Sequence, residues 1–127
     1  DQTRTDLIKG KKSMQCETVE IAQIKLRPEV TEEAFLAAFQ RFVDSFVRQQ
    51  PGFLKCELLK RDDGQFLDVV HWATRSDAFT AFERSSENDA CLAFFELLEA
   101  DEADASSGVE YLTAVIPESA EMPANSR

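Results

Sequence analysis

Basic residues are scarce in this chain. Fourteen Lys and Arg stand against 24 Asp and Glu, a formal net charge of -10. A surface of that sign repels phosphate, so nucleic acid is not an expected partner. Long apolar runs are absent too. No segment reaches the roughly 20 residues that a membrane helix needs. The opening stretch DQTRTDLIKGKKS has no apolar core of the signal-peptide kind. A cytoplasmic protein with no membrane partner is expected. Cysteine is sparse: Cys16, Cys56 and Cys91 are odd in number and far apart. Without a CxxC or a Cys/His pairing, neither a zinc site nor a disulfide framework is expected. Cys56 and Cys91 fall on apolar faces and read as buried thiols. Histidine and tryptophan occur once each, side by side, as His71 and Trp72.

What is present is core-forming material. The 127 residues are 43% hydrophobic and include 10 Phe, which suits one domain with a substantial core. Charge is uneven. Arg4, Lys9, Lys11 and Lys12 make the start mildly basic, whereas Glu96, Glu99, Asp101, Glu102 and Asp104 form an acidic cluster. Both read as solubilising surface. Residues 1–17 read as an extension, 18–117 as the domain and 118–127 as a polar tail.

Periodicity places the elements. TVEIAQIKL, from Thr18 to Leu26, reads as the first strand, with Ala22, Ile24 and Leu26 on one face and Val19 and Ile21 on the other. Arg27-Pro28 ends it, since Pro has no N–H for a ladder. Thr31 is the expected N-cap of the first helix, with Glu32 and Glu33 where the helix dipole favours acids. Phe35, Phe39, Phe42, Val43, Phe46 and Val47 make its apolar stripe, and Pro51-Gly52 stops it. Phe53 to Arg61 reads as an edge strand, joined through the turn Asp62-Asp63-Gly64 to a strand from Gln65 to Ala73. Phe66, Asp68, Val70 and Trp72 share one face of that strand; Leu67, Val69 and His71 share the other. Ser76 is the expected cap of a helix with Ala78, Phe79 and Phe82. After a break near Ser85 to Asn88, a second piece carries Cys91, Phe94, Phe95 and Leu98. Val109 to Ile116 reads as the last strand and Pro117 closes the domain.

The order β-α-β-β-α-β is the ferredoxin-like, split βαβ arrangement, an α+β fold on a four-stranded antiparallel sheet. Its helices cover one sheet face only. The first, third and fourth strands are nevertheless apolar on both faces. The uncovered face therefore needs a partner, and a second copy of the same face makes a homodimer whose sheets form an α/β barrel.

Four side chains stand out as candidates for chemistry. His71 and Trp72 point to opposite faces, so they cannot share one pocket within a subunit. His71 reads either as a general base inside the barrel or as a hydrogen-bonded residue of the dimer contact. Trp72 reads as a cavity wall or as a core residue whose indole N–H finds an acceptor. Asp68, if buried beside Phe66 and Trp72, has a raised pKa and the makings of a base. Tyr111 offers a hydroxyl to a ligand or to water.

PGF at 51–53, the Asp63-Gly64 hairpin, Val70-x-Trp72 and the SDAFTAF helix from Ser76 together resemble the antibiotic biosynthesis monooxygenase family of dimeric α/β-barrel proteins. The resemblance runs from about Thr18 to Pro117. It implies a small oxygenase that uses no metal or flavin, in which a quinol or anthrone-like substrate is itself the reductant. By resemblance, Trp72 and Gln23 shape the pocket. The reading of the residues themselves adds Asp68 or His71 as base and Phe66 and Tyr111 as further substrate contacts. Haem-degrading members carry an Asn on the first strand and a ligating His on the second helical region. Here Gln23 and Phe95 stand near those places, so haem degradation is disfavoured. The alternatives are a non-catalytic barrel that binds a small apolar metabolite, and a structural or stress-response dimer with a filled core.

Overall fold

Seven elements and one tight turn follow in the order expected. In the computed structural model, which describes residues 16–99 and 108–115, they are β1 (Thr18–Ile24), α1 (Glu32–Ser45), a 3-10 turn (Val47–Gln49), β2 (Phe53–Lys60), β3 (Phe66–Trp72), α2 (Arg75–Ser85), α3 (Asp89–Phe95) and β4 (Val109–Thr113). The expected extension up to Gln15, the C-terminal tail, Ile116 and Pro117 and the acidic residues Asp101, Glu102 and Asp104 lie outside the described residues. Among the described residues no helix is long and apolar enough to cross a membrane.

The sheet is antiparallel with strand order β2-β3-β1-β4, the ferredoxin-like order. β2 is an edge strand, as Lys55 and Glu57 on its polar face suggested. β1 is shorter than its apolar pattern. It stops at Ile24, and Leu26 makes an isolated bridge to Leu98 instead.

α1 starts where its cap dictates: the Thr31 hydroxyl oxygen accepts from the Ala34 N–H at 3.1 Å. Its stripe buries Phe35, Phe39, Phe42 and Val43. Phe35 is fully enclosed against Phe66, with ring centroids 4.8 Å apart. Phe42 stacks on Phe94 of α3 at 4.5 Å and 13°. Aromatic pairs of this kind each add about 1 kcal/mol beyond the area they bury.

α2 departs from the sequence expectation at its cap. Its cap is Thr74, whose hydroxyl accepts from the Asp77 N–H at 3.0 Å, rather than Ser76. Its buried face is Ala78, Ala81 and Ser85, while Phe79 and Phe82 are exposed at 44% and 46%. Ala78, Ala81 and Ser85 recur three and four apart on one face of the helix, and that face is the one turned to the sheet. Small side chains over the sheet leave room there, and this room becomes the cavity described below.

Gly52 fixes where β2 begins. Its φ is +84°, a left-handed conformation that costs any residue with a Cβ about 1 kcal/mol or more. A Cβ built there would collide with the Asp77 side chain. The Gly52 carbonyl also accepts from the Ala73 N–H at 2.7 Å, tying the turn to the end of β3 beside Trp72. Gly52→Ala is expected to lower unfolding free energy by roughly 2 kcal/mol or more. Chemical denaturation would show it, and an unchanged midpoint would refute this role for the turn.

Candidate active site

Strand register lays out the helix-facing side of the sheet in rows. One row of Cα partners runs Cys56, Val70, Glu20, Tyr111 across β2, β3, β1 and β4. The rows on either side run Leu58, Asp68, Ala22, Val109 and Phe53, Trp72, Thr18, Thr113. Glu20 is thus the diagonal neighbour of both Asp68 and Trp72, within reach of long side chains.

Above these rows lies a cavity of about 1050 Å³. Phe42, Phe94 and Phe95 form its aromatic wall, Val70 and Ala22 its floor, and Ala81 and Phe82 the side toward α2. Trp72, Glu20 and Asp68 also line it. It therefore joins a mostly apolar enclosure to a few convergent polar groups, the usual make-up of a small-molecule site.

Two hydrogen bonds organise the polar end. The Trp72 Nε1–H donates to Glu20 Oε1 at 2.9 Å. The Cys56 thiol donates to Asp68 Oδ1 at 3.5 Å, an ordinary length for the weak sulfur donor. Asp68 is 7% exposed. Burial first, and then the neighbouring Glu20 charge, raise its pKa to about 7, against the opposing effect of the Cys56 bond. Burial also raises the Glu20 pKa, while the indole donor pulls it back down. Two such carboxyls titrate as a pair in successive steps. The one with an N–H donor ionises first, and the proton held near neutrality sits on Asp68. Burial, with Asp68 adding to it, pushes the Cys56 thiol well above its ordinary range. Cys56 is accordingly a donor and not a thiolate nucleophile. Among the described residues no group of three His, Cys, Asp or Glu side chains is placed to hold a metal ion.

The expected site residues divide between the two sheet faces. Trp72 and Asp68 come together as neighbours on the cavity side. Gln23 borders the cavity, but it is exposed, and its pairing with Leu67 sets its side chain on the face opposite Trp72. Phe66 is filled in by Phe35 and belongs to the core rather than to the cavity wall. Tyr111 shares the helix-facing side, but its ring packs edge-on against Phe79 at 4.8 Å and 86°, under the Arg75 guanidinium. Burial holds its hydroxyl protonated up to about 12. His71 lies on the other face, with Nδ1 3.5 Å from Glu17 and Nε2 4.0 Å from Glu57. It cannot act as a base in the Trp72 cavity, because the sheet separates them. Glu20 was not foreseen. Its signal was in the sequence all the same: an acid two residues before Ala22 on an apolar strand face, where a carboxylate needs a partner.

The raised Asp68 pKa is a statement about stability. The folded state binds this proton more tightly than the unfolded chain, whose carboxyl titrates near 3.8. The stabilisation is complete below about pH 4 and is lost as pH rises toward 7, at about 1.4 kcal/mol per pH unit. Asp68→Asn, which keeps an acceptor for the Cys56 thiol, should flatten that decline in denaturation curves between pH 4 and 7. An unchanged pH dependence would refute the assignment.

A family model described as antibiotic biosynthesis monooxygenase matches residues 18–97. Among solved structures, SnoaB, a cofactor-independent oxygenase from Streptomyces nogalater, is similar with a TM-score of 0.63 at 18% identity, over 83% of this chain and 99% of that one. A Chloroflexus aurantiacus protein assigned to the antibiotic biosynthesis monooxygenases is similar with a TM-score of 0.58 at 14% identity, over 78% and 93% of the two chains. One from Nitrosomonas europaea gives 0.54 at 17% identity, over 79% and 89%. No match was found among curated proteins. At these identities the structural likeness speaks to the fold, while the family model spans well over half of the chain. The chain belongs to the antibiotic biosynthesis monooxygenase family.

Proposed function

We propose that this protein is a cofactor-independent monooxygenase acting on a small aromatic or quinol substrate. The observation that carries the reading is the mostly apolar cavity with Asp68 on its wall, a carboxyl whose pKa of about 7 suits a general base at neutral pH. The similarity in fold to SnoaB, itself a cofactor-independent oxygenase, supports it.

An anthrone illustrates the chemistry. Ionised Asp68 takes a proton from the activated methylene or its enol. The aromatic wall and the Trp72 ring hold the flat anion away from water. The anion passes one electron to dioxygen, and the two radicals combine into a peroxide anion. Asp68 returns its proton, giving a hydroperoxide that collapses to a ketone and water. One oxygen atom ends in the product carbonyl and the other in water, and the substrate supplies all four electrons. A dry site suits this sequence because water would quench the carbanion.

The face of the sheet away from the helices supports a homodimer. Val19, Ile21, Leu67, Val69 and Leu112 share it by register. Leu112 is 45% exposed, and no described helix covers this side. A second copy of the same patch would bury it with two-fold symmetry. His71, which lies on this face between Glu17 and Glu57, belongs to that contact in this reading.

Oxygen uptake with an anthrone and with a dihydroquinone tests the activity. The expected result is one dioxygen per substrate, with a rate that rises with pH through about 7, because the base must be ionised. Asp68→Asn should lower the rate by ~10²–10⁴-fold; no uptake by the wild type with either class would refute the proposal. For the dimer, light scattering is expected to give twice the chain mass for the wild type and the monomer mass for folded Leu112→Glu. A monomeric wild type would exclude sheet-to-sheet pairing.

A further inference from the structure

Glu20 bonds one of the groups that the oxygenase reading uses and neighbours the other, and neither the family resemblance nor the proposed chemistry assigns it a role. Its Oε1 accepts from the Trp72 indole N–H at 2.9 Å, and the register sets it diagonally next to Asp68. A carboxylate on an otherwise apolar strand face is costly unless it is paired or hydrogen-bonded, and Trp72 is its hydrogen-bond donor. An amide at this position would accept the same bond with no charge. A carboxylate there does something an amide cannot: it places a negative charge beside a second, more deeply buried carboxyl.

We propose that Glu20 is a positioning residue, which orients the Trp72 ring through its hydrogen bond and, through its charge, keeps the exchangeable proton of the cavity on Asp68. The role of Asp68 as base rests on the oxygenase reading, whereas the coupling between the two carboxyls stands without it.

The other charged and titratable groups around the pair do not replace Glu20. From β2, the Cys56 thiol donates to Asp68, and its own upward displacement keeps it protonated. Arg48, after α1, acts on Cys56, is exposed and pairs with Asp44 at 3.3 Å. From β4, Tyr111 faces Glu20, with Arg75 of α2 over its ring at 5.9 Å, and it stays protonated up to about 12. On α3, buried Cys91 is held protonated up to about 12 by its burial. Lys25, Arg27, Glu83 and Glu99 border the cavity; Arg27 is exposed and its Nε donates to the Glu96 carbonyl at 2.8 Å. Glu20 is the carboxylate whose charge acts on Asp68.

The consequence is a base made stronger by its neighbour. Once ionised, Asp68 beside a second negative charge takes a proton more readily than an isolated aspartate would. It gives up ionised fraction below neutral pH in exchange. When the substrate proton arrives, one negative charge leaves the pair, and mutual repulsion between the carboxylates falls as the substrate anion forms.

The single Trp of the chain is a built-in reporter, because its indole is bonded to one member of the pair. Trp72 emission in the ligand-free protein should show a pH step near 7 that Asp68→Asn removes. Glu20→Gln, which retains an acceptor for the indole, should move the step down by about one pH unit, with folding checked by circular dichroism. In oxygen-uptake assays the acid limb of the rate should move down with it, and the plateau rate should fall. Glu20→Asp, which keeps the charge, should leave the step closer to neutrality than Glu20→Gln does. A step that stays in place in folded Glu20→Gln overturns the proposal. A displaced step without oxygen uptake by the wild type upholds the coupling and overturns the oxygenase reading instead.

Discussion

The bond from the Trp72 indole to the Glu20 carboxylate is the interaction on which the helix-facing side of this sheet depends. It links β3 to β1 through side chains, where the ladder links them through backbone. It satisfies an indole N–H that is buried with its ring and a carboxylate that has few other donors. Trp72 thereby lines the cavity with its one polar atom already paired inside the protein. Without that pairing, both groups would be buried polar atoms without partners, each costing about 1–3 kcal/mol. With it, the neighbouring Asp68 is left as the group that carries the proton.

Cavity and chemistry come from the same unequal distribution of side-chain size. α1 and α3 send large rings against one end of the sheet, where Phe35, Phe39, Phe42 and Phe94 close the core. α2 sends alanines, and Ala22 lies below them on β1. Packing at native density cannot fill space from which side chains are missing, so the gap opens over the strands that carry Glu20, Asp68 and Trp72. A sheet face with two carboxyls would be a poor site for a fully packed core. His71 and Trp72 illustrate how the sheet partitions roles: one residue apart in sequence, they serve opposite faces.

Much of the architecture was legible in the sequence because the local signals agreed with each other. The Phe stripe of α1, its Thr31 cap, the Pro51-Gly52 stop and the Gly64 hairpin each mark one boundary, and the alternation in β3 announced a central strand apolar on both faces. The misreadings share a cause. Thr74 and Ser76 are equally good caps by residue type, and only the fold shows that the Thr74 hydroxyl is the one that reaches the Asp77 N–H. Phe66 and Tyr111 were assigned to the correct face, but which same-face residues border a gap depends on the helix above them. Glu20 was passed over because an acid in an apolar strand pattern reads as the polar interruption of a half-exposed face.

The amino-acid sequence by itself determined the order of elements, the strand parity and therefore which side chains share a face, since these follow from backbone periodicity and from the caps and turns at each end. Strand parity alone separated His71 from Trp72. Only the tertiary structure decided that Glu20 and Asp68 are neighbours. They lie 48 positions apart, on strands brought together by the β1–β3 register, and their coupling depends on register, burial and the volume left by α2. None of these is a local property, because desolvation and charge–charge repulsion are set by whatever the rest of the chain packs around a group.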